Sequence, residues 1–140
     1  GVADPGALVV EACHRRGIRV VPLVGPSSIL LAVMASGLNG QSFAFNGYLP
    51  VKPAERAQAI RRYERRAQSE GQTQLFIEAP YRNAKLLEEL LRTLAPATRL
   101  GVAVDLTAPA ERIEVRTVAE WRRAPLPELH KRPAIFLVGA

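Results

Sequence analysis

The residues of this chain that could carry chemistry gather at corners where apolar runs end. Glu78-Ala79-Pro80-Tyr81-Arg82-Asn83 brings an acid, an aromatic ring, a guanidinium and an amide to one strand-to-helix corner. Such a set can orient a polar ligand, and the same acid and arginine can instead brace the start of a helix. Gly25-Pro26-Ser27-Ser28 offers backbone N–H groups and two hydroxyls at a helix N-terminus, a place for a carboxylate or phosphate or for plain helix capping. Asp105-Leu106-Thr107 closes a further apolar run, and His130-Lys131-Arg132-Pro133 stands just before the last one. In open α/β sheets, ligands bind at strand ends of this kind.

Other chemistries are excluded. His14 and His130 lie far apart, and Cys13 adjoins His14 rather than sharing a helical face with it, so no zinc-ligand spacing exists and no metal site is expected. A single cysteine allows no internal disulfide, and Cys13 reads as a small buried hydrophobe. There is no Gly-x-Ser-x-Gly elbow, no Gly-rich phosphate loop leading into Lys-Ser/Thr and no Gly-x-Gly-x-x-Gly. The common hydrolase and nucleoside-triphosphate signatures are therefore missing.

The corners need elements to hold them. Asp4-Pro5-Gly6 predicts a helix from Ala7 to about Arg16, stopped by Gly17, and Ile18 to Val24 reads as a short buried strand. A helix from Ile29 to Ser36, apolar almost all round, should be buried on more than one side. A strand over Phe43 to Leu49 precedes an amphipathic helix from Ala54 to Ser69, with Ala57, Ile60, Tyr63 and Ala67 on one side and Arg61, Arg62, Arg65 and Arg66 largely on the other. Thr73 to Glu78 is the next strand, and Tyr81 to Leu94 the next helix. Arg99 to Asp105, Arg112 to Thr117 and Ala134 to Val138 read as three further strands, the last preceded by a loop that holds Trp121, a packing residue. From Gly25 onward this predicts an α/β fold: a mixed sheet of about five strands flanked by helices, with an antiparallel part. The one plausible boundary is the turn at Gly25-Pro26.

The 140 residues are 48% hydrophobic and 23% charged, an ordinary globular composition. Nineteen basic against thirteen acidic residues leave a net +6, and sixteen of the basic residues are arginine. That balance suits a phosphate-rich partner, and Arg61, Arg62, Arg65 and Arg66 could track a phosphate backbone or form a solvated helix face. The longest apolar stretch, Ile29 to Ala35, falls far short of the roughly 20 residues of a membrane span. No secretory signal is visible at Gly1-Val2-Ala3-Asp4-Pro5-Gly6. A soluble, cytoplasmic protein is expected.

Several segments carry a resemblance in their order and spacing: Ala3-Asp4-Pro5-Gly6, Gly17 through Ser28, Ala35-Ser36-Gly37-Leu38, Phe45-Asn46-Gly47-Tyr48-Leu49-Pro50 and Phe76-Ile77-Glu78-Ala79-Pro80-Tyr81-Arg82. Together they resemble the tetrapyrrole (corrin/porphyrin) methylase superfamily, in the branch containing the 16S ribosomal RNA 2′-O-ribose methyltransferases. The resemblance implies an S-adenosylmethionine-dependent methyltransferase of two α/β domains with the cofactor in the cleft between them. Residues 1–24 would then be the trailing helix and strand of the N-terminal domain, and 25–140 the C-terminal domain. It places cofactor contacts on Ser27 and Ser28, on Ile77, Glu78 and Ala79, on Leu106, and on Pro133 and Ala134. Glu78 and Arg82 become the candidate catalytic residues, orienting acceptor or cofactor, with Tyr81 shaping the cleft.

The chain departs from that branch in two places, with Asp105-Leu106-Thr107-Ala108 for Glu-Leu-Thr-Lys and Lys131-Arg132-Pro133 for Lys-Gly-Glu. The methyl acceptor therefore stays open between RNA and another, unassigned one. A tetrapyrrole, whose carboxylates would also draw arginines, is the small-molecule alternative. A non-catalytic binding or homodimerisation module is the alternative of another class, favoured by the apolar helix 29–36 and the unpartnered strand Ile18 to Val24. Since the family's first Gly-containing loop has no counterpart here, the chain by itself is expected to be weakly active or inactive.

Overall fold

The computed structural model describes residues 1–140. Strand alternation decides which side of the sheet each residue serves. In β3 (Arg99–Val104), Leu100, Val102 and Val104 face one layer while Ala103 faces the other; in β5 (Ala134–Gly139), Phe136 and Val138 oppose Ile135 and Leu137 in the same way. The sheet also contains β1 (Phe43–Tyr48), β2 (Thr73–Ile77) and β4 (Arg112–Thr117), in the order β1-β2-β5-β3-β4. β1 and β2 are parallel, and every other pairing is antiparallel. This is the mixed sheet the pattern predicts.

Gly101 lies opposite both Val115 and Leu137. A Cβ there would stand 3.1 Å from Val115 Cγ2 and 3.2 Å from Leu137 Cδ1, so the missing side chain lets the two neighbours close over the strand. Gly47, at φ 63°, lies where the β1–β2 register shifts between Phe45 and Tyr48.

The larger core lies between the sheet and two helices, α3 (Pro53–Glu70) and α4 (Asn83–Thr93), and is centred on Phe76, Phe136, Leu86, Leu90 and Trp121. α3 begins on a proline, whose missing N–H costs nothing at that position, and ends at Gly71 in the left-handed conformation. The opposite face is covered by α2 (Ser28–Ser36), whose Ala32 and Val33 pack with Leu75, Ala103, Ile135 and Leu137.

Five expectations need correction. Ile18 to Val24 is not a buried strand: it runs exposed and unpaired, because a β-branched run becomes a strand only where a neighbour takes up its N–H and C=O groups. α2 is buried on one side only, with Met34 77% exposed. The helix after Pro80 opens as a 3-10 turn, Pro80–Arg82, and becomes α-helical at Asn83. Trp121 ends a short helix, α5 (Val118–Trp121), rather than sitting in a loop. Cys13, on α1 (Ala7–Arg15), is half-exposed, since α1 buries none of its residues.

Candidate functional site

Because β1, β2 and β3 run the same way, their C-terminal ends share one edge with the N-terminal end of the antiparallel β5. A cleft of about 340 Å³ opens at that edge on the α2 side. Ile77, Ala103 and Ile135 form its apolar floor, and Ala134, Pro133 and Pro80 its wall; Leu106 and Asp105 stand at its rim and Ser28 at the start of α2. Of the residues expected at the cofactor, Ser28, Ile77, Glu78, Leu106, Pro133 and Ala134 line this one cleft, although they come from four separate stretches of chain. Ser27 and Ala79 adjoin it in sequence without lining it.

The serines do not cap α2. Ser27 is its N-cap residue, yet no side-chain cap hydrogen bond is made. The capping explanation of this turn therefore fails, and Ser28 faces the cleft from an exposed position.

Glu78, at the end of β2, is part of a buried ionic network rather than a free acid. Its Oε2 accepts from Arg56 Nη2 at 2.5 Å, and its Oε1 accepts from the Ala79 amide at 2.7 Å and from Arg82 Nη2 at 3.0 Å. Arg56 also donates to Glu89 Oε2 at 2.9 Å and, through Nε, to the Pro50 carbonyl at 2.7 Å. Burial alone would raise the Glu78 carboxyl; the Ala79 amide and the Arg56 and Arg82 guanidiniums outweigh it and hold the group below the ordinary carboxylate range. Burial likewise works against the Arg56 charge, and its bonds to Glu89 and Glu78 override it and raise its pKa. Arg82 lies 5.0 Å from the centre of the Tyr81 ring and donates to its hydroxyl at 2.9 Å, with Tyr81 exposed beside it. Glu78 thus braces the corner, while Arg82 and Tyr81 reach the surface, and neither of these two lines the cleft.

Arg132 fixes the opposite rim. Its Nε donates to Asp105 Oδ2 at 2.8 Å, Nη1 to the Glu128 carbonyl at 2.7 Å and Nη2 to the Ala110 carbonyl at 3.2 Å. Asn83 in turn donates to the Arg132 carbonyl at 2.7 Å. Asp105 and Thr107 hold φ values of 50° and 70°, a conformation L-residues avoid, and the Arg132 bridge secures the turn that needs it. The two segments in which the chain departs from the ribosomal RNA branch are therefore bonded to each other. His130 takes no part in the cleft lining, and no group of three or more His, Cys, Asp or Glu side chains could hold a metal ion.

Arg56, Ala103 and Ile135 escaped the sequence reading. Arg56 lies in phase with the buried Ile60 and Ala67, and an arginine on an apolar stripe demands a buried acid; that phase was the available signal. Ala103 and Ile135 carry no signal beyond strand alternation.

Comparison with known proteins follows the same segments. Residues 1–121 match the Tetrapyrrole (Corrin/Porphyrin) Methylases. Among curated proteins, the Ribosomal RNA small subunit methyltransferase I of Vibrio cholerae is 34% identical over 119 residues, covering 85% of this chain and 40% of that protein. The protein of the same name from Xylella fastidiosa strain Temecula1 is 32% identical over 137 residues, covering 98% of this chain and 49% of its own. The chain thus spans less than half the length of these relatives. Among solved structures, the methyltransferase CobJ superposes with a TM-score of 0.61 at 23% identity, over 99% of this chain and 60% of that one. The uroporphyrin-III C-methyl transferase of Thermus thermophilus, solved with S-adenosylhomocysteine, gives 0.54 at 21% identity, over 99% and 60%. These structures share the fold.

Proposed function

The chain belongs to the tetrapyrrole (corrin/porphyrin) methylases, and on that premise we propose that it forms one wall of an S-adenosylmethionine-dependent methyl-transfer cleft whose acceptor is RNA. The observation that carries this reading is the meeting of four separate segments in a single cleft at the sheet edge. Its small, apolar floor suits the nucleoside and thioether parts of the cofactor, and about 340 Å³ lies at the lower end of ligand-site volumes, as one wall of a larger site should. The RNA acceptor is supported by the relatives, which are named ribosomal RNA methyltransferases, and by the net +6 charge.

When bound, the cofactor supplies a sulfonium methyl group for transfer to an acceptor lone pair. Ile77, Ala103, Leu106 and Ile135 exclude water from it, and Ser28 offers a hydroxyl at the rim. Much of the rate in such a transfer comes from in-line positioning. Glu78, ionised and held below the ordinary carboxylate range by the Ala79 amide and by Arg56 and Arg82, is a poor general base; it holds Arg82, which orients the acceptor beside Tyr81. A hydroxyl acceptor must lose its proton as the new bond forms, and a base outside this network or solvent takes it.

On the same reading, residues 1–24 close a preceding domain and 25–140 form the second. Residues 1–24 add nothing to either core. We place the protein in the cytoplasm with its RNA; no helix is long and apolar enough to cross a membrane. We also propose a homodimer, supported by the exposed apolar side chains of Leu30 and Met34 on α2.

Saturation-transfer NMR with S-adenosylhomocysteine tests the cleft. The expected result is a weak adenine signal from the wild-type chain that Leu106→Arg abolishes. No signal from the wild type, or equal signals from both proteins, overturns the assignment.

A further inference from the structure

We propose that the outward face of α3, around Arg61, Arg62 and Arg65, docks the phosphate backbone of an RNA strand that leads to the methyl-transfer cleft. The proposal rests on the RNA acceptor of the reading above. These three arginines line a polar cleft of about 530 Å³ with Pro50, Glu55 and Gln58, separate from the methyl-transfer cleft. All three are exposed, and none has a carboxylate within salt-bridge distance. Arg62 is instead held against Tyr63, 4.9 Å from its ring centre and donating to its hydroxyl at 3.2 Å, which orients the guanidinium without neutralising it.

Elsewhere Arg15 pairs with Glu11, Arg112 and Arg116 with Glu114, and Arg132 with Asp105, while Arg16, Arg19, Arg92 and Arg123, which have no acid, belong to other segments of the chain. The α3 face instead gathers three unpaired arginines within five residues. Arg61 and Arg65 are four apart, as are Arg62 and Arg66, and like charges at that spacing destabilise a helix. Only Arg66 has an acid, Glu70 at 3.7 Å. A face that retains uncompensated repulsion breaks a local rule, and such breaches belong at functional surfaces.

Geometry links this surface to the chemistry. Arg61 lies about 12 Å along α3 from Pro53 at 1.5 Å per residue. The Pro53 end of the helix adjoins Pro50, which lines the arginine cleft and accepts from Arg56, the residue that clamps Glu78. A strand running along α3 toward its N-terminus therefore arrives at the sheet edge where the methyl-transfer cleft opens, and crosses that edge from the α3 face to the α2 face to enter it.

Fluorescence anisotropy with a short labelled single-stranded RNA tests the proposal, using the chain and its Arg61→Gln, Arg62→Gln, Arg65→Gln triple variant across about 50–200 mM salt. Three lost phosphate contacts at about 0.7 each should flatten the log–log salt slope by about 2, with at least a tenfold loss of affinity at the lowest salt. Circular dichroism should match the wild type, because the three side chains are exposed, and the unfolding midpoint should equal or slightly exceed it as the repulsion is relieved. A second triple variant, Arg16→Gln, Arg19→Gln, Arg123→Gln, removes the same charge elsewhere and should retain the wild-type slope. An unchanged slope in the α3 variant, or equal flattening in both variants, overturns the docking surface. S-adenosylhomocysteine binding, followed in parallel, separates the two readings. Cofactor binding without RNA binding counts against the RNA acceptor and the docking surface together, binding of both with an unchanged slope in the α3 variant counts against the docking surface alone, and the α3-dependent RNA slope without cofactor binding counts against the methyl-transfer cleft alone.

Discussion

Arg56 ties three parts of the fold together: the end of β1 through the Pro50 carbonyl, the end of β2 through Glu78, and α4 through Glu89. Removing one member of a buried ion network leaves the others uncompensated and costs about 3–5 kcal/mol. Arg56→Met should lose that much in urea denaturation. Glu78 adds a pH dependence whose sign follows from its lowered pKa. A carboxyl below its unfolded value of about 4.3 contributes its stabilisation above that value and loses it as pH falls through the folded one. The stability gap between wild type and Glu78→Gln should therefore shrink as pH falls below about 4.3; a gap that stays constant would remove the network as its source. At this scale the candidate corner was legible in sequence, because Glu78, Tyr81, Arg82 and Asn83 are contiguous. Its main partner was not: Arg56 comes from another helix, and only the phase of α3 marks it as buried.

Among the elements, α5 shows how a local signal can be present and still be overlooked. Thr117 and Glu120 form a reciprocal capping box, with the Thr117 hydroxyl accepting from the Glu120 amide and the Glu120 carboxylate accepting from the Thr117 amide. The spacing is readable, but a four-residue helix has too little periodicity to stand out among prolines. Its purpose is to place Trp121, fully buried, with Nε1 donating to the Leu100 carbonyl at 2.7 Å and the Arg116 guanidinium 5.3 Å from its ring. Trp121→Phe should cost about 1–3 kcal/mol through the lost donor, and Trp121→Ala about 3–5 kcal/mol through the cavity, in thermal or urea unfolding. Equal losses would mean that the packing of the ring adds little beyond the hydrogen bond. The five strands were legible from alternation and β-branching. Ile18 to Val24 misled because its composition is strand-like while pairing, which composition does not encode, is absent.

For the whole molecule, the two cores account for the sheet and the helices on both sides, yet Leu8, Val9, Val21, Leu23, Val24 and Met34 remain exposed. Surfaces of that character usually meet a partner. Sedimentation velocity should show association that increases with concentration, and Leu30→Ser with Met34→Ser should reduce it without lowering the unfolding midpoint. A strictly monomeric wild type at high concentration would argue against the homodimer. The sheet order has a further consequence. β5 is made after every other strand, yet it lies at the centre, joining the β1-β2 pair to the β3-β4 hairpin. During synthesis on the ribosome the chain therefore exists as two unjoined half-sheets, each with a bare inner edge open to wrong pairing, until residues 134–139 emerge and insert between them. A version ending at Pro133 should show no cooperative unfolding transition and should be the form that chaperones and proteases recognise.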